Sequence, residues 1–369
     1  MPGLIEKKRF MRTLFAKTIS VLLHKENENR SFSGPIDSII ILATEKTGDS
    51  ILLTPLIRNI RSNFPNIEIH LVCFSQASAT FFRYDRNITA LHEVKRNTLE
   101  YLKNVLSRKF DILVNTKDGP STNFLLQTAL INARYKIGHD NAYHKGIFDH
   151  LLIVDFHTRI ALKNCMVLNV LGVSFSEEDC RPYIPLQPIG KDVSAFSETI
   201  NRNELIGINI SAGAGNRYWT EEKWSALIDN FPGSRFLIFS APADSGIKKR
   251  IEKAHKNVLP GPETNNIYEA GLLVSRLRLL VSPDTAMIHV ASCYGTPVVG
   301  LYTELHADQS RFGPFLVEYE LVRSNSSQVC DIPVADVVIA IRKMLSIQPE
   351  SGTGSIQVSP NALKSWTST

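Results

Sequence analysis

Short aliphatic runs and helix-length amphipathic segments alternate twice along this chain, and a proline-rich break separates the two series. The first series reads as strands at 38–43, 67–73 and 111–115, with helices over 50–62, 99–107, 122–132 and 160–171. The break is Cys180-Arg181-Pro182-Tyr183-Ile184-Pro185, with Pro188 and Gly190 close behind. The second series reads as strands at 205–210, 235–239, 277–281 and 297–301, with helices over 221–230, 246–256, 267–276, 285–294 and 334–345. Strands that are aliphatic throughout suit a parallel sheet covered on both faces. The expected fold class is therefore α/β, with two facing Rossmann-like domains and a cleft between them. The expected boundaries are an extension and linker over 1–36, an N-terminal domain over 37–185, a C-terminal domain over 186–346 and a disordered Ser/Gly/Pro/Thr-rich tail over 347–369.

Charge narrows the function classes. The chain of 369 residues is +5 overall, but residues 1–30 hold seven Lys/Arg against three Glu, a net of +4. The remaining body is close to neutral, so a nucleic-acid footprint is not expected. Five cysteines, odd in number and without a C-x-x-C pair, read as reduced thiols with no zinc site. No apolar run approaches the roughly 20 residues needed to span a bilayer, and residues 1–30 lack the features of a signal peptide. A cytoplasmic protein is expected. Met11, Leu14, Phe15, Ile19 and Leu22 fall on one helical face, with Lys8, Arg12 and Lys17 elsewhere. That pattern suits a basic helix lying on an anionic membrane through residues 1–25, or equally a solvated or self-docked extension.

Three strand ends carry polar residues that a core does not require. In A-T-E-K-T-G-D-S-I-L-L-T-P-L-I-R (43–58) a helix opens at Asp49, where its free amides are expected to keep the carboxylate ionised. The bland alternative is a plain N-cap, and no Walker loop is present. In I-N-I-S-A-G-A-G-N-R-Y-W-T-E-E-K-W (208–224) a small-residue turn allows backbone to approach a phosphate. Arg217 can grip a diphosphate there, or else pair with Glu221 or Glu222 at the surface. The G-A-G fails as a dinucleotide fingerprint for want of a third glycine. In V-S-P-D-T-A-M-I-H-V-A-S-C-Y-G-T-P-V-V-G-L-Y (281–302) Asp284, Thr285 and His289 sit at or just inside a helix N-terminus, where anions bind. Asp284 or Thr285 can cap that helix, and Gly295 ends it. Asp244, after the strand at 235–239, is a weaker candidate for a ribose contact.

These blocks, in this order, resemble glycosyltransferase family 9, the ADP-heptose:lipopolysaccharide heptosyltransferases. The most specific is D-T-x-x-x-H-x-A-x-x-x-G-T-P at 284–297. The resemblance covers roughly residues 36–345. It implies a GT-B fold, with an acceptor domain first, a nucleotide-sugar domain second and the active site between them. By that resemblance Asp49 matches the catalytic base. Arg217 falls at a donor-phosphate position that is usually Lys, and Ser211 lies on the same loop. Asp284, Thr285, Ala286 and His289 match donor-binding positions, and Asp244 an acidic ribose contact. Ala286 departs from the usual Gly, adding a methyl in the turn expected to cradle the diphosphate. Thr220 replaces the usual Pro of K-x-W-P, and Thr303-Glu304-Leu305-His306 replaces the common G-x-T.

The activity so implied is inverting, metal-independent sugar transfer from a donor such as ADP-heptose to a lipid-linked glycan of the lipopolysaccharide core. No cofactor is called for, and the enzyme would work at the cytoplasmic face of the bacterial inner membrane. A family member with another donor or acceptor, a non-catalytic nucleotide-sugar-binding protein and a nicotinamide-dependent dehydrogenase are the competing readings.

Overall fold

The computed structural model describes residues 2–23, 25, 29, 31–94, 98–202 and 204–346; the side chains of residues 2–5 and 7–9 are not among those described. The expected tail at 347–369 lies outside the described residues.

Helix α1 (Pro2–Leu23) precedes the first sheet. The chain then runs β1 (Ser38–Ala43), α2 (Thr47–Asn63), β2 (Glu68–Cys73), α3 (Gln76–Phe82), β3 (Ala90–Glu93), α4 (Thr98–Tyr101), β4 (Lys109–Asn115), α5 (Thr122–Leu130), β5 (Asn132–His139) and β6 (His150–Leu152). Helices α6 (Ile160–Cys165) and α7 (Val167–Val170) lead to the proline-rich break. After it come α8 (Lys191–Thr199), β7 (Leu205–Asn209), α9 (Glu221–Asp229), β8 (Arg235–Phe239), α10 (Ser245–Ala254), β9 (Val258–Leu259) and α11 (Ile267–Val274). The last elements are β10 (Leu279–Pro283), α12 (Ala286–Tyr294), β11 (Val298–Tyr302), α13 (His306–Phe312), β12 (Tyr319–Arg323) and α14 (Val334–Ser346).

The two sheets repeat one plan. The first has the order β3-β2-β1-β4-β5-β6 and the second β12-β11-β10-β7-β8-β9. Counted within its own half and read from the far edge, the second order is again 3-2-1-4-5-6. Every pairing is parallel. This is the Rossmann order, in which the chain reverses direction across the sheet between the first and fourth strands and leaves a crevice at their carboxyl ends. β1 is Ser-Ile-Ile-Ile-Leu-Ala, buried at every position, because helices cover both its faces.

The halves meet through α2 and α12, which pack directly and share one continuous buried cluster with Ile51, Leu52, Met287 and Ile288. Pro55 lies inside α2 and cannot donate to Ile51 O; the Thr54 hydroxyl does so instead at 2.7 Å. The break also stitches the halves. Tyr183 N donates to Thr54 Oγ1 at 2.9 Å, and Arg181 Nη1 donates to Leu316 O at 3.0 Å. The helix expected over 99–107 is present over 98–106, one α-helical turn (α4) continued by a π-helix over Leu102–Leu106. All five cysteines are free thiols.

The second domain has its own core around Trp224, which meets Trp219 edge-on with ring centroids 4.7 Å apart. Trp224 is 1% exposed, and its indole N–H has no hydrogen-bond partner among the described residues. Trp224→Ala should therefore destabilise the protein by about 3–5 kcal/mol in urea unfolding, the range for a buried aromatic deletion. Trp224→Phe should cost much less, since no hydrogen bond is lost.

Candidate active site

Both crevices hold the polar residues. In the first sheet Thr116, just past β4, donates its hydroxyl to Leu42 O on β1 at 2.6 Å, closing the switch point. In the second, Asn209 at the end of β7 donates to Ser282 Oγ on β10 at 3.0 Å and to Thr285 Oγ1 at 3.1 Å. The two crevices face each other, with the amino ends of α2 and α12 between them.

Helix α2 starts at Thr47, two residues before the expected opening, with Lys46 extended at the cap position. Asp49 therefore lies within the first turn. Its environment corrects the expectation of a simply stabilised carboxylate. Burial raises its pKa above the ordinary value, and Lys117, Lys46 and Arg311 offset that only in part, with Asp118 adding to the rise. Gly48 beside it is half-buried against the second domain. A Cβ there would stand 3.1 Å from His289 Cδ2 and 3.7 Å from Ala286 Cα.

Thr285, not Asp284, caps α12: its hydroxyl accepts from Met287 N at 3.2 Å. Gly295 ends the helix at φ 72°, a left-handed conformation that favours glycine. His289 is one turn in and buried against Gly48, away from the free amides. Burial, with Arg159 second, pushes its pKa down to about 4, so the ring is neutral, and Nδ1 has no partner among the described residues. Ala286, partly buried, faces the same contact.

Arg217 does not pair with Glu221 or Glu222; Glu221 is held by Arg250 at 2.6 Å. Arg217 turns inward from a 3-10 turn, Gly215–Arg217, to Asp284 Oδ2 at 2.8 Å and Asp308 Oδ2 at 3.0 Å. Burial nevertheless pushes Asp284 up to about 6, with Asp308 adding to the rise and Arg217 and Lys46 opposing it. Ser211 Oγ donates to Asp244 Oδ2 at 2.5 Å and accepts from Ala241 N at 2.7 Å; the Tyr218 hydroxyl reaches the same Asp244 oxygen at 3.1 Å. Beyond Asp244 lies a cavity of about 260 Å³ lined by Phe239, Ser240, Pro242, Lys248, Pro262 and Thr264. A larger cavity of about 570 Å³, lined by Phe32, Phe64, Tyr135 and His150, lies by the carboxyl end of α2 and shares no lining residue with this site.

Several participants were not anticipated. Asp118, after β4, binds Lys163 Nζ at 3.1 Å and, across the domains, Arg311 Nη2 at 2.5 Å. Burial works to raise its carboxyl, but Arg311 and Lys163 outweigh it and hold the pKa below the ordinary value. Arg311 belongs to α13, which also receives Arg159 Nη1 at Gln309 O, 2.6 Å, and brings Ser310 Oγ within 2.8 Å of His157 Nδ1. Asn209 was detectable as a polar residue ending an apolar strand. α13 carried no periodic signal.

A family model described as glycosyltransferase family 9 (heptosyltransferase) matches residues 99–332, and a model of a family of unknown function matches residues 7–158. The chain is 24% identical over 343 residues to lipopolysaccharide heptosyltransferase 3 of Escherichia coli, covering 83% of this chain and 98% of that protein. It is 23% identical over 278 residues to lipopolysaccharide core heptosyltransferase OpsX of Haemophilus influenzae, covering 72% and 78%. Among solved structures it resembles a family 9 glycosyltransferase of Veillonella parvula, with TM-score 0.64, 18% identity and coverage of 88% and 99%. It also resembles E. coli heptosyltransferase WaaC bound to ADP-2-deoxy-2-fluoro heptose, with TM-score 0.61, 14% identity and coverage of 83% and 99%. With the family model spanning well over half of its length and both sheets built on the GT-B plan, this chain belongs to glycosyltransferase family 9, the heptosyltransferase family.

Proposed function

We propose that the protein transfers heptose from ADP-heptose, with inversion and without a metal, to a lipopolysaccharide-core or related lipid-linked glycan. One observation carries this reading: Gly48, the neighbour of Asp49 on the first domain, packs against His289 and Ala286 at the amino end of α12, so Asp49 lies at the seam between two switch points. The curated relatives, both heptosyltransferases and matched over 98% and 78% of their lengths, support the choice of sugar.

In this reading residues 37–185 bind the acceptor and 186–346 the donor. The acceptor hydroxyl gives its proton to an Asp49 carboxylate oxygen while its own oxygen bonds to the anomeric carbon. The bond from that carbon to the diphosphate oxygen breaks on the opposite face, and its electron pair leaves with the nucleotide. One displacement inverts the centre. A raised pKa makes Asp49 a stronger base than an ordinary carboxylate. The charge growing on the diphosphate falls to Arg217, Lys46 and the first amides of α12. To take the diphosphate, Arg217 exchanges one or both of its carboxylate partners for phosphate. Asp284, raised to about 6, can take up a proton as Arg217 leaves it. His289 presents a neutral ring with Nδ1 unspent. Asp244, braced by Ser211 and Tyr218, is placed for the ribose, and the 260 Å³ cavity beyond it for the base. Residues 1–25 would bring the enzyme to the cytoplasmic face of the inner membrane, where a lipid-linked acceptor is exposed.

Three outcomes test this. With ADP-heptose and an acceptor glycolipid, Asp49→Asn should lower kcat by about 10²- to 10⁴-fold at unchanged donor affinity, the usual share of a general base. Near wild-type turnover would remove the assignment. Arg217→Ala should weaken ADP binding by titration calorimetry about ten- to a hundredfold, as for loss of one charged hydrogen bond. Lys117 stabilises the ionised form of Asp49, so Lys117→Met should raise the Asp49 pKa further. The acid limb of the kcat/KM profile, where activity falls as Asp49 protonates, should move to higher pH.

A further inference from the structure

Helix α1 has two apolar faces, and the fold uses one. Ala16 and Ile19 are buried with Leu125 of α5 and with Ile147, Phe148 and Leu151, and Phe15 and Leu23 pack beside them. This splits the stripe expected from the sequence. Phe15 and Ile19 turn to the protein, while Met11, Leu14 and Leu22 stay outside. At 100° per residue Phe10, Leu14 and Val21 fall in one line, with Met11 and Leu22 alongside. These five are 66%, 50%, 76%, 55% and 77% exposed. A surface helix ordinarily turns a polar face outward. Helix α5, against which α1 lies, leaves Leu126 and Leu130 exposed one turn apart as well.

Charge identifies the occupant. Residues 1–30 carry a net +4 by sequence while the rest of the chain is nearly neutral; Lys25 pairs with Asp149 at 2.9 Å, and Arg12 and Lys17 are exposed on the helix itself. A second copy would set like charge against like charge. No helix among the described residues is long and apolar enough to cross a membrane. We propose that the outer face of α1, built on Phe10, Met11, Leu14, Val21 and Leu22, docks flat on an anionic bilayer, its side chains entering the boundary between headgroups and acyl chains. The proposal deepens the membrane part of the preceding reading and does not depend on which sugar is transferred. Because α1 is packed onto α5, the docked surface is rigidly joined to the domain. α5 begins four residues after Asp118, a chain distance of at most about 14 Å. The bilayer is thereby brought to the side of the cleft that holds Asp118 and Lys117.

The test is flotation of the full chain with vesicles of phosphatidylethanolamine and phosphatidylglycerol at 7:3, against vesicles of phosphatidylcholine alone. Wild type should float with the anionic vesicles, lose at least tenfold in binding at high salt, and stay unbound on phosphatidylcholine. The combined variant F10S/L14S/V21S/L22S should bind at least tenfold more weakly, with unchanged Tm and unchanged ADP affinity. R12E/K17E, which leaves the apolar face intact, should lose the preference for anionic vesicles. Failure of wild type to float, or flotation of the apolar-face variant equal to wild type, overturns the proposal. So does a concentration-dependent dimer, abolished by the apolar-face variant, in protein that ignores vesicles. Vesicle binding as expected in a protein inactive with every nucleotide sugar would overturn the sugar reading alone.

Discussion

The contact of Gly48 with His289 and Ala286 is the constraint on which the site depends. It brings the amino ends of α2 and α12, one from each domain, close enough that a Cβ on Gly48 would meet the imidazole at 3.1 Å. With both helices seated on switch points of identically ordered sheets, that meeting brings Asp49 to the seam beside the amino end of α12. The glycine at 48 thus answers to packing between domains. The partly buried methyl of Ala286 answers to the same packing.

The electrostatics follow from this closeness. Two acids, Asp49 and Asp284, sit where burial raises them, one on each side of the seam. Arg217 is shared between Asp284 and Asp308, and Arg311 and Lys163 converge on Asp118. A desolvated charge is retained only with a partner, and each of these cations stands beside an acid. Because Asp308 and Arg311 lie on the same helix, α13, the contact to Arg217 in the second domain and the contact to Asp118 in the first share one element.

Legibility in the sequence followed burial. The strands β1, β4, β7, β8, β10 and β11 each carry an uninterrupted or nearly uninterrupted apolar run and stand out, as does β2 beside them. Strands β3, β6 and β9 have only four, three and two residues, and β5, Asn-Ala-Arg-Tyr-Lys-Ile-Gly-His, mixes charge into its run; none gave a readable period. The motif residues Asp49, Asp284, Thr285 and His289 were visible because they interrupt apolar patterns at strand ends. Asp118, Asp308 and Arg311 were not, since a charged residue in a loop or short helix looks like any solvated surface.

Residue order alone determined the two α/β domains, the three polar strand ends and the family, because alternating burial and helix-start chemistry are local properties. Tertiary structure decided the rest. It chose which acids Arg217 holds and turned His289 toward the neighbouring domain. It raised Asp49 rather than leaving it an ordinary cap. It also divided α1 into a face that packs and a face that does not. Each of these depends on what lies across a gap in space, and desolvation and ion pairing act through that distance rather than along the chain.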